Sequence, residues 1–545
     1  MGRDARRRAS GWTAGERQRA LERLRSGTDD WELIIIGGGI TGAGILREAA
    51  RRGWRALLVE QRDFAWGTSS RSSKMVHGGL RYLAAGDYRL TRDAVRERER
   101  LLTEAPGLVE RMQYLQPHYR GQFPGPRPMR ALLWLYDRIA GRRSRAFHPA
   151  AEARVWLPQL QADALIGASR FADAVTDDAR LVLRTLSEAL ADGASAVNYL
   201  TATEILRQAG EACGVRLRDR LSGEEFTLRA PVIINATGAW ADRLRDQGPS
   251  IRPLRGSHLV LPYWRLPVPC SVSFPHPTDR RPVFVFPWEG VTVIGTTDLD
   301  HDRPLDDEAR ISDPEVDYLL AAANQIFPGH GLRRADIQAS WSGVRPVVAG
   351  GADAPSKEKR EHVLWDDRGL ISVAGGKLTT FRLIALDVLR LAAPRLPPAR
   401  RPAQGDEPVF RPLPAAPAPA AIAAGIWRRL QGRYGADAPR VLASGAAEPI
   451  AATATLWAEL GWTAANEAVV HLDDLLLRRT RLGLLLPDGG ARLLPRIRAL
   501  CQPLLGWPDS RWTQEEQRYR DLWQRCYGLP SDGADCNDST KEPSP

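Results

Sequence analysis

The chain has 545 residues, of which 43% are hydrophobic and 26% are charged, so it can bury several cores, and disorder throughout is excluded. Its formal net charge of +11 makes nucleic acid, a phospholipid surface and an anionic small molecule candidate partners. Only five of the 76 basic residues are lysines, so a lysine inside a motif is informative. The five cysteines include no CxxC pair, which argues against a metal site or a disulfide framework and favours a reducing compartment.

The first 30 residues are predicted to be a basic extension in which residues 14–25 form one charged helix. No apolar stretch approaches the ~18 residues that a membrane-spanning helix needs. Arg6, Arg7 and Arg8 are followed by charged rather than apolar residues, which argues against a secretory or twin-arginine signal. We therefore expect a protein that stays in the cytosol or touches a membrane only from that side.

Helix and strand patterns alternate from residue 31 onward. An apolar strand at 33–36, a helix at 40–52 and a second apolar strand at 56–59 form a β–α–β unit. Residues 90–160 are predicted to be largely helical, and strands alternate with helices after residue 180. The pattern predicts an α/β fold in which a Rossmann-like dinucleotide-binding domain is interleaved with a mixed-sheet substrate domain over residues 31–393.

The composition changes sharply after residue 393. Residues 394–421 are rich in proline and alanine and are predicted to form a semi-rigid linker. Residues 422–530 have helical patterns almost throughout and predict a separate all-α domain. The polar residues 531–545 are predicted to be a disordered tail.

A glycine-rich turn separates the first strand from the first helix of the β–α–β unit. Gly37, Gly39 and Gly42 form a GxGxxG pattern, which permits a tight turn and a close approach of the backbone to a pyrophosphate at the helix N-terminus. Glu60 ends the second strand, where its carboxylate can accept hydrogen bonds from the adenosine ribose and disfavours NADP. These residues predict a dinucleotide site but do not separate FAD from NAD.

The segment after the second strand distinguishes between FAD and NAD as the predicted cofactor. Residues 67–83 read GTSSRSSKMVHGGLRYL, which is too polar and too rich in glycine for a core element. The segment resembles one in the FAD-dependent, quinone-linked glycerol-3-phosphate dehydrogenases, where it runs beside the flavin. The resemblance continues, in order and with similar spacing, at TDDARL (176–181), NATGAW (235–240), RGSH (255–258), GTTD (295–298), SGVRP (342–346), GGKLTT (375–380) and LDDL followed by RRT (472–480).

The resemblance implies FAD as the cofactor and a D-amino-acid-oxidase-like fold with an all-α C-terminal domain. It implies cofactor contacts by residues of these motifs, namely Thr68, Ser69, Ser73, Lys74, His77, Gly238, Gly376, Lys377, Leu378 and Thr379. The residues themselves support two of these contacts, because Gly238 and Gly376 lie in turns after apolar strands. The second turn also opens a helix whose free N–H groups suit the negative charge that develops on a reduced flavin.

The implied reaction is oxidation of sn-glycerol 3-phosphate at C2 to dihydroxyacetone phosphate, with hydride transfer to flavin N5. A phosphate monoester needs clustered cationic donors, which we expect from Arg81 and Arg345, with Tyr82 as a hydroxyl donor. His258 is the first candidate for the catalytic base because imidazole titrates near working pH. Lys377 is expected to stabilise charge on the substrate oxygen, or to act as base if burial lowers its pKa. Arg345 is expected to be a catalytic residue but not the base, since its guanidinium group stays charged and is a poor proton acceptor.

The electrons then need an acceptor outside the chain, because the sequence has no haem-binding CxxCH and no iron–sulfur cysteine set. The resemblance implies a membrane quinone, and oxygen is the alternative. Residues 127–143 place six apolar residues and Trp134 among arginines, which fits a helix in an anionic lipid headgroup layer and also a helix packed under the rest of the protein. We expect peripheral attachment to the inner face of the cytoplasmic membrane, no nucleic-acid partner, and a homodimer as a candidate assembly.

Three rival interpretations are weaker. A flavin oxidase of an amine or amino acid shares the architecture, but HGGLRYL, SGVRP and GGKLTT are not expected together in such an enzyme. A nucleic-acid-binding protein would account for the charge, yet the arginines are spread along the chain and no basic aromatic ribbon or zinc pattern occurs. A flavin-bearing protein without activity is disfavoured because the substrate-type arginines and lysine are present.

Overall fold

The computed structural model describes residues 12–13, 15–27, 29–245, 250–351, 361–401, 407–413, 417–420 and 422–530. The predicted tail at 531–545, the first eleven residues and parts of the predicted linker lie outside the described residues. The fold class is confirmed. A six-stranded sheet forms the part that is predicted to bind the dinucleotide (the dinucleotide-binding part), a large mixed sheet forms the part that is predicted to bind substrate (the substrate part), and helices form the C-terminal part.

The six-stranded sheet is parallel except for one edge strand. Its strands, in spatial order, are β18 (Val363–Asp367), β19 (Leu370–Ala374), β11 (Val232–Asn235), β1 (Leu33–Ile36), β2 (Ala56–Val59) and β7 (Ser195–Val197). The predicted strands at 33–36 and 56–59 are confirmed, and every residue in them is buried. Both strands are continuously apolar because both faces of the sheet are covered.

Helices and a smaller sheet provide this cover. One face packs against α2 (Ile40–Arg51), α7 (Asp178–Ala191) and α9 (Phe381–Ala392). The other face packs against an antiparallel sheet and the N-terminal helix, namely β8 (Leu200–Gln208), β9 (Glu211–Asp219), β10 (Glu225–Arg229) and α1 (Glu16–Ser26). The charged helix predicted in the N-terminal extension is therefore present, and its Leu21 and Leu24 are buried in this layer.

The large sheet forms the substrate part. Its strands are β16 (Leu299–Asp300), β12 (Ile251–Pro262), β15 (Val291–Gly295), β14 (Pro282–Trp288), β13 (Ser271–Pro275), β4 (Val109–Tyr119), β6 (Leu165–Thr176) and β3 (Met75–Val76), with β17 (Ala339–Val348) paired to β12 and β5 (Ala146–Pro149) paired to β6. The prediction of a largely helical 90–160 region is wrong at β4. That strand mixes polar and apolar residues without a clear period, and it is held by pairing with β6 and β13.

Five helices surround this sheet: α3 (Leu80–Ala84), α4 (Tyr88–Glu104), α5 (Pro126–Ala140), α6 (Ala150–Trp156) and α8 (Asp313–Ile326). The six apolar residues noted around Trp134 lie on α5, and its apolar face points mainly inward. Met129, Leu133 and Tyr136 are buried, and Leu132, Leu135 and Ile139 are half-buried. Trp134 is about half exposed. Among the described residues, none of the helices combines the length and apolarity needed to cross a bilayer.

The C-terminal part is helical, as expected. It contains α10 (Ala424–Tyr434), α11 (Ala438–Ala443), α12 (Trp457–Asn466), a π-helical segment (Asp474–Arg479), α13 (Leu482–Leu485), α14 (Leu494–Leu505) and α15 (Asp509–Cys526). Its core is continuous with that of the large sheet. Trp288 and Trp341 of the sheet share one apolar cluster with Leu475 and Trp512 of the helices.

The described part of the predicted linker packs on the dinucleotide-binding part. Val409 and Phe410 are buried in the same core as α2 and α7. Arg47 Nε of α2 donates a hydrogen bond to the carbonyl of Val409 at 2.8 Å, and Trp54 Nε1 donates one to the carbonyl of Pro397 at 2.9 Å. These contacts hold the segment against the domain that it leaves.

Buried ion pairs join the C-terminal helices to the dinucleotide-binding part. Asp63, which follows β2, accepts a hydrogen bond from Arg478 Nε at 2.5 Å and two from Arg479, the longer of them at 2.8 Å. Burial alone would raise the pKa of Asp63, but the charges of Arg479 and Arg478 hold it below its ordinary value. All three side chains are buried. Such a pair is costly to break because one partner would stay as an uncompensated buried charge.

Replacement of Asp63 by Asn is therefore expected to lower the free energy of unfolding by about 3–5 kcal/mol. The matched control is Asp306→Asn, which removes the exposed partner of Arg243 and is expected to cost less than about 1 kcal/mol. Urea unfolding of the cofactor-loaded protein, followed by tryptophan fluorescence, measures both values. A loss no larger for Asp63→Asn than for the control would contradict this role of the buried pair.

Candidate active site

A cavity of 1020 Å³ is lined by residues of both large sheets. Most of the predicted site residues form part of its wall, namely Gly37, Gly39, Glu60, Thr68, Ser69, Ser73, His77, Arg81, Tyr82, Gly238, Arg345, Gly376, Lys377, Leu378 and Thr379. Gly42, Lys74 and His258 do not line it. The volume suits a large ligand together with a small one.

The predicted dinucleotide turn has the geometry that a pyrophosphate needs. β1 ends before Gly37, and α2 begins at Ile40, so the N-terminus of a buried helix opens on the cavity. A Cβ at Gly42 would lie 1.9 Å from the carbonyl oxygen of Gly37, so no larger residue fits there without moving the turn. Gly42 thus shapes the turn from below the cavity wall. Ser69 Oγ accepts a hydrogen bond from the backbone N–H of Ile40 at 3.0 Å.

Glu60 stands at the end of β2 beside this turn. Its carboxylate accepts hydrogen bonds from the backbone N–H groups of Gly38 at 2.6 Å and of Arg62 at 2.9 Å. Burial raises the pKa of Glu60, and the two N–H donors oppose that rise. These bonds orient the carboxylate on the cavity wall, where its remaining lone pairs can accept from ribose hydroxyls. The glycine turn, the helix N-terminus and the acid therefore fit the adenosine half of a dinucleotide.

Motifs that are distant in the sequence meet at the cavity. The backbone N–H of His77 donates a hydrogen bond to Thr379 Oγ1 at 3.2 Å. The Thr379 hydroxyl in turn donates one to the carbonyl of His77 at 3.3 Å. Thr68 Oγ1 donates a hydrogen bond to the carbonyl of Val344, next to Arg345. The GTSS, VHGG, GVRP and GKLTT segments therefore form one continuous wall.

Lys74 differs from its predicted role. Its side chain is fully buried, and Nζ lies 2.9 Å from both carboxylate oxygens of Asp178 and 2.7 Å from the carbonyl of Ser70. The indole rings of Trp341 and Trp288 flank the ammonium group at 4.6 and 5.3 Å. The lysine side chain is thus bonded to Asp178 behind the cavity wall and supports the loop, and a cofactor contact through the backbone of Lys74 stays a prediction.

His258 also lies behind the cavity wall. Its Nε2 is 2.9 Å from the hydroxyl of Ser73, which does line the cavity, and its ring stacks on Trp341 with centroids 4.8 Å apart. Nδ1 is buried and has no hydrogen-bond partner among the described residues. Burial, with the charges of Arg345 and Lys74, lowers the pKa of His258 well below its ordinary value. The imidazole is therefore neutral near pH 7.

The other predicted substrate residues are at the wall. Arg81 and Tyr82 lie on α3, with Arg81 exposed and Tyr82 half-buried. Nζ of Lys377 is 3.3 Å from the centroid of the Tyr82 ring, a cation–π contact that brings the GGKLTT turn against this helix. Arg81, Tyr82 and Lys377 are thus placed to act on one ligand.

Arg345 has a neighbour that the motifs did not reveal. Its Nη1 donates a hydrogen bond to Asp298 Oδ1 at 2.9 Å, and its Nη2 donates one to Thr296 Oγ1 at 3.1 Å. Arg281 Nη2 lies 3.1 Å from the other carboxylate oxygen of Asp298, and Arg281 also lines the cavity. Asp298 was visible in the GTTD motif without a role. Arg281 lies outside every motif, so only its position on the cavity wall singles it out.

The donor set also fits the flavin half of FAD. Gly376, Leu378 and Thr379 line the cavity at a turn that leads from β19 into α9. Helix N–H groups and Lys377 at this turn would favour negative charge on the pyrimidine end of a flavin. The residues present therefore match both ends of this cofactor.

Comparison with known proteins agrees with this site. The family described as FAD dependent oxidoreductase matches residues 32–382, and the C-terminal domain of alpha-glycerophosphate oxidase matches residues 414–512. Glycerol-3-phosphate dehydrogenase 2 of Mycobacterium bovis is 35% identical over 540 residues, covering 93% of this chain and 91% of its own. The chain belongs to the FAD-dependent glycerol-3-phosphate dehydrogenase family.

Two further members of the family extend the comparison. The aerobic glycerol-3-phosphate dehydrogenase of Bacillus subtilis is 37% identical over 390 residues, which cover 69% of this chain and 70% of that protein. The solved structure of the glycerol-3-phosphate dehydrogenase of Bacillus halodurans, complexed with FAD, superposes with a TM-score of 0.75 at 28% identity, covering 94% of this chain and 98% of its own. The expected family, fold and FAD cofactor are confirmed.

Proposed function

We propose that the protein oxidises sn-glycerol 3-phosphate to dihydroxyacetone phosphate and passes the electrons to a membrane quinone. When bound, FAD supplies at N5 the acceptor for the hydride that leaves C2 of the substrate. The observation that carries the proposal is the arrangement of Arg345, Lys377 and the dinucleotide turn around one cavity. The names of the family members support the choice of substrate.

The substrate phosphate is assigned to the arginines of the wall. Arg345 offers a planar fork that suits a phosphate, and Arg81 on α3 adds a second positive charge. The hydroxyl of Tyr82 donates a hydrogen bond to the substrate. Lys377, held against Tyr82, stabilises the negative charge that grows on the C2 oxygen as its proton leaves.

The proton of the C2 hydroxyl passes to His258 through Ser73. Ser73 takes this proton on Oγ and gives its own to His258 Nε2, which is 2.9 Å away. In the tautomer that accepts the proton, Nδ1 carries the hydrogen. Arg345 is one cause of the lowered pKa of His258, so a bound phosphate dianion, which offsets the charge of Arg345, raises the proton affinity of His258 when the substrate is present.

A surface near the cavity is suited to a membrane. Five large apolar side chains between residues 123 and 166 are exposed, and we propose that they form a lipid-facing patch: Phe123, Trp134, Phe147, Val155 and Ile166. Five exposed arginines lie on α5 and just after it, namely Arg127, Arg130, Arg138, Arg142 and Arg143. Apolar residues with a cationic rim favour the headgroup layer of an anionic membrane.

The patch adjoins the cavity. Phe123 and Pro124 line the cavity, and Nδ1 of His118 lies 2.9 Å from the carbonyl of Pro124. The His118 ring is 6.4 Å from the ring of Phe147, so Phe123 and Phe147 belong to one surface. A quinone dissolved in the lipid would meet the cavity mouth at Phe123, which is why we assign the acceptor to the membrane.

Addition of glycerol 3-phosphate to the FAD-loaded protein without oxygen is expected to bleach the flavin absorption band. Glycerol and glycine are expected to leave the band unchanged, because neither carries the phosphate that is assigned to Arg345. A water-soluble quinone should then restore the band at least about ten-fold faster than air-saturated buffer. A band that stays oxidised refutes the substrate. Equal reoxidation by oxygen would favour an oxidase.

Ser73→Ala and His258→Ala are each expected to slow the anaerobic flavin reduction by about 10²–10⁴-fold while FAD stays bound, because both remove the path of the proton. The control is Ser340→Ala, a buried serine outside the cavity wall. Normal reduction in His258→Ala would place the base elsewhere.

The protein is expected to bind vesicles that contain phosphatidylglycerol and not vesicles of phosphatidylcholine alone. Exchange of Phe123 and Trp134 for Ser should weaken the binding about ten-fold or more, since it removes two apolar anchors. Trp264→Ser is the matched control, because Trp264 is an exposed tryptophan outside the patch. Co-sedimentation measures the bound fraction, and equal binding by the double variant and the control would exclude the lipid-facing patch as the attachment site.

A further inference from the structure

We propose that Arg281 is a second arginine for the substrate phosphate and that Asp298 is the positioning residue that sets it beside Arg345. The inference rests on the proposed function, because it deepens the account of the same substrate. Two observations carry it: the geometry of the carboxylate that the two arginines share, and the unused hydrogen-bond donors of Arg281 at the cavity wall.

One carboxylate orients both arginines. Asp298 Oδ1 accepts from Arg345 Nη1 at 2.9 Å, and Oδ2 lies 3.1 Å from Arg281 Nη2. Arg281 Nη1 also donates a hydrogen bond to the backbone carbonyl of Asp298 at 3.1 Å. The Asp298 side chain is 1% exposed, against 23% for Arg281 and 21% for Arg345. The anion is therefore nearly enclosed, and it lines the cavity together with the two cations.

Two guanidinium groups share one carboxylate at the cavity wall. Arg265 offers a contrast in the same part of the chain, because it donates two hydrogen bonds of 2.7 and 2.9 Å to Asp336 and does not line the cavity. A phosphate dianion at the wall can accept charge-assisted hydrogen bonds from both Arg345 and Arg281.

Arg281 has hydrogen-bonding capacity to spare. Its Nε is buried and has no hydrogen-bond partner among the described residues. Of the five N–H donors of the guanidinium, the bonds to Asp298 use only part. An arginine that was present only to neutralise Asp298 would duplicate Arg345, which already does so from the other side. The spare donors and the place at the wall fit a second anion.

Arg345 is held from two sides. Its guanidinium lies over Gly256 of β12, where a Cβ would be 2.2 Å from Nη2, and it donates hydrogen bonds to Asp298 and Thr296. β12 and β17 are paired in register here, with Leu254 opposite Arg345. A phosphate has oxygens in several directions and can accept a hydrogen bond from a second donor on another side. Arg281 comes from the turn between β13 and β14 and provides it.

The pair of arginines acts as a specificity determinant for a phosphate monoester over a neutral polyol. In this assignment both arginines contact the substrate only at its phosphate, so their loss weakens binding and leaves the chemical step at C2 nearly unchanged. This separates Arg281 from Ser73 and His258, whose loss slows the chemistry itself.

The test compares Arg281→Met, Arg281→Lys and the control Arg265→Met in the FAD-loaded enzyme. Arg281→Met leaves Asp298 paired with Arg345, so no buried charge is stranded and the variant is expected to fold. The KM for glycerol 3-phosphate should rise about 10- to 100-fold with kcat within about three-fold, as expected for a lost charge-assisted hydrogen bond. The KM of Arg281→Lys should lie between those of Arg281→Met and wild type, and the KM of Arg265→Met should equal that of wild type.

Binding of inorganic phosphate, measured by calorimetry, gives a readout that does not depend on turnover. Arg281→Met should bind phosphate more weakly by the same factor as the rise in KM. Asp298→Asn should also raise KM more than it lowers kcat. In the double variant with Arg281→Met and Asp298→Asn, KM should rise by less than the product of the two separate factors, because Asp298 acts through both arginines.

Unchanged KM and unchanged phosphate affinity in Arg281→Met would overturn the proposal. A fall in kcat alone would also overturn it, because it would place Arg281 in the chemical step. If glycerol 3-phosphate fails to reduce the wild-type flavin, the proposed function fails first, and the phosphate titration still decides whether Arg281 binds this anion.

Discussion

The buried carboxylate of Asp178 is the charge on which the cavity wall depends. It accepts hydrogen bonds from the backbone N–H of Ser72 at 2.9 Å and from the Ser72 hydroxyl at 2.7 Å, and it pairs with Lys74 and Arg481. Loss of Asp178 would remove the carboxylate that pairs with both buried cations, so the positions of Lys74, Arg481 and Ser72 depend on it. Ser72 and Lys74 flank Ser73, and the ion cluster thus sets where the Ser73 hydroxyl stands.

Buried ion pairs at Asp177 and Asp178 also attach the C-terminal helices to the FAD-binding part. Arg481 follows the π-helical segment, and its Nη2 also donates a hydrogen bond to the carbonyl of Ser70 at 2.9 Å. Arg433 of α10 reaches Asp177, next to Asp178, at 2.6 Å. These arginines pair with carboxylates of the FAD-binding part, and the apolar core continues across the same boundary. The helical part therefore supports the loop from Ser70 to Lys74 from behind, although none of its described residues lines the cavity.

Much of the FAD-binding part could be predicted because its signals are local. Residues 33–36 are apolar at every position, as a strand covered on both faces must be, and Gly42 is required by a contact with Gly37 only five residues away. Glu60 follows from the length of the β–α–β unit. The same reasoning did not find β4, whose residues show no clear period, because pairing with strands far along the chain decides its conformation.

The sequence by itself determined the dinucleotide turn, the all-α C-terminal part, the FAD-binding family and a set of candidate site residues, most of which line the cavity. Only the tertiary structure decided which way buried charged groups point. It turned Lys74 inward to Asp178, placed His258 behind Ser73, directed the apolar face of α5 into the core and brought Arg281 beside Arg345. The reason is physical. Backbone turns and apolar strands follow from neighbouring residues, whereas a buried charge takes the orientation that its counter-ion allows, and that counter-ion comes from a distant part of the chain.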